Sequence, residues 1–177
     1  NGEDHFSGFL FYSNTLPSGF SSNDRVKQVF SLEEAENLGI TDTHVGETLA
    51  TGTVTVTAAG VAGDTVEVKV TTYAGVVSLG TATVGASPTT TTVATAIAAA
   101  INDNTATTGY SATSSVAVVT ITAPAGSGVG ANSYVISTTI VGTVTATLVQ
   151  FSGGIASPID PLHYQVAEFF RIQPKGV

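Results

Sequence analysis

Asp42, His44 and Glu47 lie within one short stretch, Asp42-Thr43-His44-Val45-Gly46-Glu47. Two carboxylates and an imidazole are side chains that can hold a divalent cation. No second His stands nearby and the chain has no Cys, so the stretch reads as a solvated linker. "GSGVGAN" at 126–132 is Gly-rich enough to cradle a phosphate. It lacks the Lys of a P-loop and the spacing of a G-x-G-x-x-G turn, and reads as a turn between strands. A serine nucleophile needs a sharp turn to expose it, and no G-x-S-x-G elbow occurs, although Ser, His and Asp are all present. Glu33 and Glu34 occupy adjacent helical positions and do not face each other as an acid–base pair. His5 follows Glu3 and Asp4 in an extended arm, and His163 falls in the first turn of a helix. These residues predict no catalytic, metal or cofactor site.

The elements that carry these residues differ in composition. Residues 1–47 hold eight acidic and two basic side chains, whereas residues 51–155 hold three acids (Asp64, Glu67, Asp103) and one base, Lys69. That middle stretch carries 25 threonines and is rich in Val, Ala and Gly; residues 156–177 return to ordinary composition. A composition that shifts and then returns predicts a domain inserted into a loop of another, with seams near Glu47–Gly52 and Gly153–Pro158. The expected division is therefore 1–47 plus 156–177 as a discontinuous base and 48–155 as the insertion. Only five Lys and Arg stand against a net charge of −8, which disfavours nucleic acid and anionic membrane surfaces as partners. No apolar run approaches the roughly 20 residues of a membrane span.

The middle reads as strands. "TVTVT" (53–57) and "TVEVKV" (65–70) alternate with the period of a half-buried strand. "VVSLGTATV" (76–84), "VAVVTITA" (116–123), "SYVIST" (133–138) and "TVTATLVQ" (143–150) look similar. One segment differs: over 88–103, Val93, Ile97 and Ile101 recur every four residues and line one helical face. Ser87 is the expected N-cap and Pro88 the first helical residue. Ala94 and Ala98 would let that helix approach a sheet closely. The middle is expected to be a β-sandwich or open sheet with one helix packed on it.

In the flanks, "FSGFLFYS" (6–13) and "RVKQVF" (25–30) read as strands. "SLEEAENLGI" (31–40) reads as a helix with Ser31 and Glu34 as a capping box and Gly39 at its C-terminal end. A second helix is expected from Asp160 as N-cap and Pro161 onward, with Leu162, Val166, Phe169 and Phe170 on its apolar face. Val177 looks like the start of a further strand, and both ends read as cut from something longer.

"VKQVFSLEEAENLGIT" (26–41), followed after the insertion by "HYQVAEFFRIQPKGV" (163–177), resembles the core of contractile bacteriophage tail sheath proteins. The middle resembles a domain inserted in some of them, through Gly63–Val66, Thr89–Asn102, Val119–Ala123 and Gly128–Asn132. The resemblance implies an α+β chain: a mostly antiparallel β insertion with one packed helix, on a small discontinuous α/β sheath-core domain. It implies a structural subunit, not an enzyme, that assembles into a helical tube by a contact that does not close, and contracts to drive an inner tube into a cell. Implied partners are copies of itself, tail tube and baseplate proteins. The implied place is the virion, after assembly in the host bacterial cytoplasm. Phe9, Phe11, Glu33, Glu36, Phe169, Phe170 and Arg171 are the candidate packing or inter-subunit residues. A length short of a whole sheath subunit makes a fragment the expected reading. The rival expectation is a surface-exposed Ig-like or adhesin binding module.

Overall fold

The computed structural model describes residues 15–172, and the fold is α+β, with helices and antiparallel sheets. The chain divides into two compact units: residues 15–46 with 157–172, and Glu47–Ala156.

The Glu47–Ala156 unit holds seven strands: β1 (Thr51–Ala58), β2 (Thr65–Thr72), β3 (Gly75–Thr83), β4 (Ser111–Ser115), β5 (Val118–Thr122), β6 (Val135–Val141) and β7 (Thr145–Ser152). They form two sheets, in the orders β4-β5-β1-β7 and β3-β2-β6, and every pair is antiparallel. The alternation seen in the sequence becomes inside and outside. Val54 and Val56 of β1, Val66, Val68 and Val70 of β2, Val119 and Ile121 of β5, and Ile136 of β6 share one core, while the polar residues between them (Thr55, Glu67, Lys69 and Thr120) face the other way. Burying each such side chain stabilises the fold by about 1.5–3 kcal/mol.

Helix α2 (Thr90–Asp103), which the short α3 (Thr105–Thr108) follows, packs along β3 and β4, the outer strands of the two sheets on that side, and Val93, Ala94, Ile97, Ala98 and Ile101 are its buried face. A bulge in β3 at Leu79 turns two consecutive residues, Leu79 and Gly80, inward. Leu79 fills the core. Gly80 faces the helix, where a Cβ would stand 2.4 Å from the Ala100 carbonyl oxygen. The alanine helix and the glycine on the strand thus meet backbone to backbone.

Several expectations change. The helix cap is Thr89, not Ser87. Thr89 accepts from the Thr92 N–H at 3.1 Å, and Thr92 Oγ1 accepts from the Thr89 N–H at 2.9 Å, a reciprocal capping box. Ser87 sits instead at φ +54° in the preceding turn, and Pro88 precedes the cap. The single strand expected over 116–123 is the second arm of a hairpin that turns at Val116, at φ +52°. Its first arm, β4, reads "SATSS" and has one apolar residue, too few to show alternation. The strand expected at 133–138 starts at Val135, because Gly128–Ser133 coils into a 3-10 turn.

Antiparallel sheets leave edge N–H and C=O groups to be satisfied, and amide side chains satisfy several here. Asn102 of α2 donates to Ala112 O and accepts from Ala112 N on β4, both at 2.8 Å. Gln150 of β7 does the same for Ile136 on β6, so a side chain joins the two sheets where no ladder does. Asn132 accepts from Gly154 N at 2.8 Å and donates to Gly154 O at 2.9 Å.

The unit of residues 15–46 and 157–172 is built on α1 (Leu32–Asn37) and α4 (Asp160–Ile172). Ala35, Ile40, Leu162 and Val166 form a buried apolar cluster, with Phe20, Val29, Leu32 and Phe170 partly buried against it, and Ile159 is also fully buried. Ser31 caps α1 by accepting from the Glu34 N–H at 3.1 Å. Glu34 reaches one residue further back than a capping box requires, to the Phe30 N–H at 2.7 Å. Gly39 follows the helix at φ +82°, as a left-handed end.

"RVKQVF" does not form a strand: among the described residues of this unit no extended partner lies beside it, and Val26 and Phe30 are 84% and 71% exposed. Alternation alone does not hold a strand that has nothing to pair with. Phe169 and Phe170 are half-buried, not buried; their rings meet edge-on at 5.3 Å. Phe9, Phe11, the expected 6–13 strand and Val177 lie outside the described residues.

Candidate functional site

Asp42, His44 and Glu47 do not converge. His44 donates from its backbone N–H to Asp160 Oδ1 at 3.1 Å, and its Nδ1 lies 2.6 Å from Asp160 Oδ2. Asp160 was expected to cap its own helix; its carboxylate is spent on His44 instead. Ser157, three residues before Asp160, satisfies the start of the helix instead, accepting from Ile159 N at 3.1 Å and Asp160 N at 3.2 Å, and its hydroxyl donates to Val45 O at 2.8 Å. Partial burial pulls the Asp160 carboxyl upward, but the bonds from His44 and Ser157 outweigh it and hold the group below its ordinary value. Among the described residues no group of three or more His, Cys, Asp or Glu could hold a metal.

Glu47 has a separate task in the other unit. Its two carboxylate oxygens accept from the Gly126 N–H at 2.9 Å and the Gly128 N–H at 2.6 Å. The Gly-rich loop that resembles a phosphate cradle does bind an anion, and the anion is this chain's own carboxylate. Two further ties lie close by: Thr48 and Ile155 exchange both backbone bonds, at 3.0 and 2.9 Å, and Asn132 holds Gly154. The loop 126–132 thus touches both the incoming and the outgoing stretch of this unit.

The described candidate packing residues lie on α1 and α4. Glu33 and Glu36 are exposed on α1. His163 Nε2 lies 3.0 Å from Glu36 Oε1, a second tie between residues on either side of the insertion. Arg171, a candidate packing or inter-subunit residue, binds Glu168 one turn back on α4, and its side chain remains 70% exposed. Tyr164 and Ile172 on the same helix are 70% and 64% exposed.

Asp64 was not singled out by sequence reasoning. It is 7% exposed, yet one oxygen accepts from Val61 N at 3.1 Å, Thr143 N at 2.7 Å and Thr143 Oγ1 at 3.1 Å. It fastens the β1–β2 loop to the β6–β7 loop, and Gly142, at φ +119°, leaves the room it needs. The Thr143 N–H and then the Val61 N–H stabilise the anion and hold its pKa below the ordinary value. Its contribution is therefore present above the usual carboxyl range of about 3.9 and is lost as pH falls through the lower, folded value. Asp64→Asn keeps an acceptor oxygen but cannot titrate, so its melting temperature should fall less steeply than that of the parent between about pH 5 and about pH 3. Asp64→Ala should melt below both at neutral pH, because it leaves the donors unpaired. Parallel slopes for parent and Asp64→Asn would contradict this assignment.

Lys69 is the sole basic residue of 51–155. It lies on β2, the central strand of its sheet, 2.9 Å from Glu67 and 3.1 Å from Thr139 Oγ1. Limited trypsin treatment should cut at Arg25, Lys27 and Arg171 and accumulate a product intact through Lys69, as read by mass spectrometry. Cleavage after Lys69 at the rate of the flank sites would refute it.

No protein-family model matches the chain, and no curated protein shows significant similarity to it. No helix among the described residues is long and apolar enough to cross a membrane.

Proposed function

We propose that the chain is a structural, self-assembling piece of a contractile tail sheath. Residues 15–46 and 157–172 belong to the repeating body, and Glu47–Ala156 is an inserted β domain. The observation that carries the reading is the pairing of the two motif-bearing segments. Ala35 and Ile40 from the first pack with Leu162 and Val166 from the second, and His44–Asp160 and Glu36–His163 join them again. A sequence resemblance split by a whole folded unit has meaning only if its halves meet, and α1 and α4 do meet. Exposed Val26, Phe30, Tyr164 and Ile172 add apolar surface of the kind that neighbouring subunits cover. The proposed partners are copies of the same protein, with the tail tube and baseplate, in the virion.

Electron microscopy of the protein expressed from its complete gene tests this. Helical tubes of regular pitch are expected. Monodisperse particles at every concentration would sink the proposal and favour the Ig-like binding module.

A further inference from the structure

Tyr73 is the most exposed aromatic ring described, at 79%, and it is also firmly held. It sits in the β2–β3 turn, which Thr72 locks: the Thr72 hydroxyl accepts from Ala74 N and donates to Gly75 O, each at 3.1 Å. The Tyr73 hydroxyl bonds Ser133 Oγ, and Ser133 in turn donates to Gly130 O at 2.8 Å. Tyr134 meets Tyr73 edge-to-face, with centroids 5.8 Å apart and planes at 75°, and is itself packed against the core. A floppy exposed tyrosine needs no explanation. A rigid one, kept uncovered by its own hydrogen bonds, is preorganised surface that costs little entropy to use.

The surroundings define what could use it. Thr71, the next outward position on β2, has Val76 and Val135 directly opposite it on either side, both exposed. The nearest charges on that sheet face, Glu67 and Lys69, pair with each other at 2.9 Å, and Ser78 and Thr139 bond to them as well. The patch therefore offers an aromatic face, aliphatic flanks and hydroxyls, with no unpaired charge. An ionic partner finds no counter-charge there. A hexose has the complementary chemistry, an apolar C–H face bordered by neutral hydroxyls.

We propose that Tyr73 and Tyr134, with Ser133 and Thr71, form a stacking subsite for a neutral hexose oligomer. The subsite belongs to the Glu47–Ala156 unit and stands whether or not the protein assembles into tubes. The ring of Tyr73 takes the sugar face, and the Ser133 and Thr71 hydroxyls take its rim.

Binding is read by calorimetry, because the chain has five tyrosines and Tyr73→Ala would remove the fluorescent reporter together with the site. The intact chain is titrated separately with maltohexaose, cellohexaose and mannohexaose. Saturable binding of weak, about millimolar affinity is expected for at least one of them. Tyr73→Ala should weaken it by about tenfold or more. Tyr73→Phe, which keeps the ring but loses the Ser133 bond, should weaken it less than Tyr73→Ala does, and Tyr164→Phe, which changes a tyrosine of the other unit, should leave it unchanged. No saturation with any of the three sugars would overturn the proposal, as would binding that survives Tyr73→Ala. Sedimentation that shows self-association abolished by Tyr73→Ala would also overturn it, because the patch would then be covered by a second copy.

Discussion

Gly80→Ala should destabilise the Glu47–Ala156 unit by about 2–4 kcal/mol, more than a methyl group normally costs. The new Cβ would lie 2.4 Å from Ala100 O and 2.7 Å from Ala100 C, and both are helix backbone that cannot rotate away. To admit it, α2 must lift from β3. That loosens the contacts of Ile97 and Ile101, and it strains the Asn104 amide, which bonds both Leu79 O and Ala100 O at 3.1 Å. Gly63→Ala is the control. Gly63 sits at φ +93° with nothing within 4 Å, so alanine there meets backbone strain without a clash and should cost about 1 kcal/mol. Urea denaturation of the two variants separates the effects. Equal midpoints would mean that the helix does not approach the strand as closely as described.

Ile40→Ala should have the second large effect, and a local one. Truncating a buried isoleucine costs about 2–5 kcal/mol. Ile40 is one of only four residues in the buried apolar cluster of its unit, whereas the cluster of the Glu47–Ala156 unit contains more than twenty. A loss of that size is a large fraction of what so small a core supplies. Amide exchange should therefore become fast in α1 and α4 together, although the two helices are far apart in sequence. Protection across β1, β2 and α2 should not change. Continued protection of α4 in Ile40→Ala would show that the helix does not depend on α1, and would remove the main support for the sheath reading.

What could be read in advance follows a physical line. The alternation of Val with polar residues in β1 and β2 and the four-residue stripe of α2 are local, and both survive in the fold. The start of α2 moved by a few residues because two hydroxyl residues, Ser87 and Thr89, can each cap a helix, and only the backbone decides which. β4 was invisible: it is mostly Ser and Thr, and it exists because β5 and Asn102 supply its partners. "RVKQVF" fails for the converse reason, a good strand composition with no neighbour beside it. Glu47 looked like a candidate metal ligand because its true partners, Gly126 and Gly128, lie 79 and 81 positions away. Tyr73 gave no signal, since one aromatic in a turn is ordinary until its exposure and its bonds are seen together.

The ties around Thr48, Ile155, Glu47 and Asn132 carry a genetic consequence. They bring the two ends of the β unit together using only that unit's own atoms, so the loop-closure entropy is already met inside it. A host surface loop receiving such a cassette has merely to span two adjacent anchor points, and need not bend to suit its guest. Swaps, losses and acquisitions of this piece between otherwise unrelated coding sequences should leave the recipient fold undisturbed.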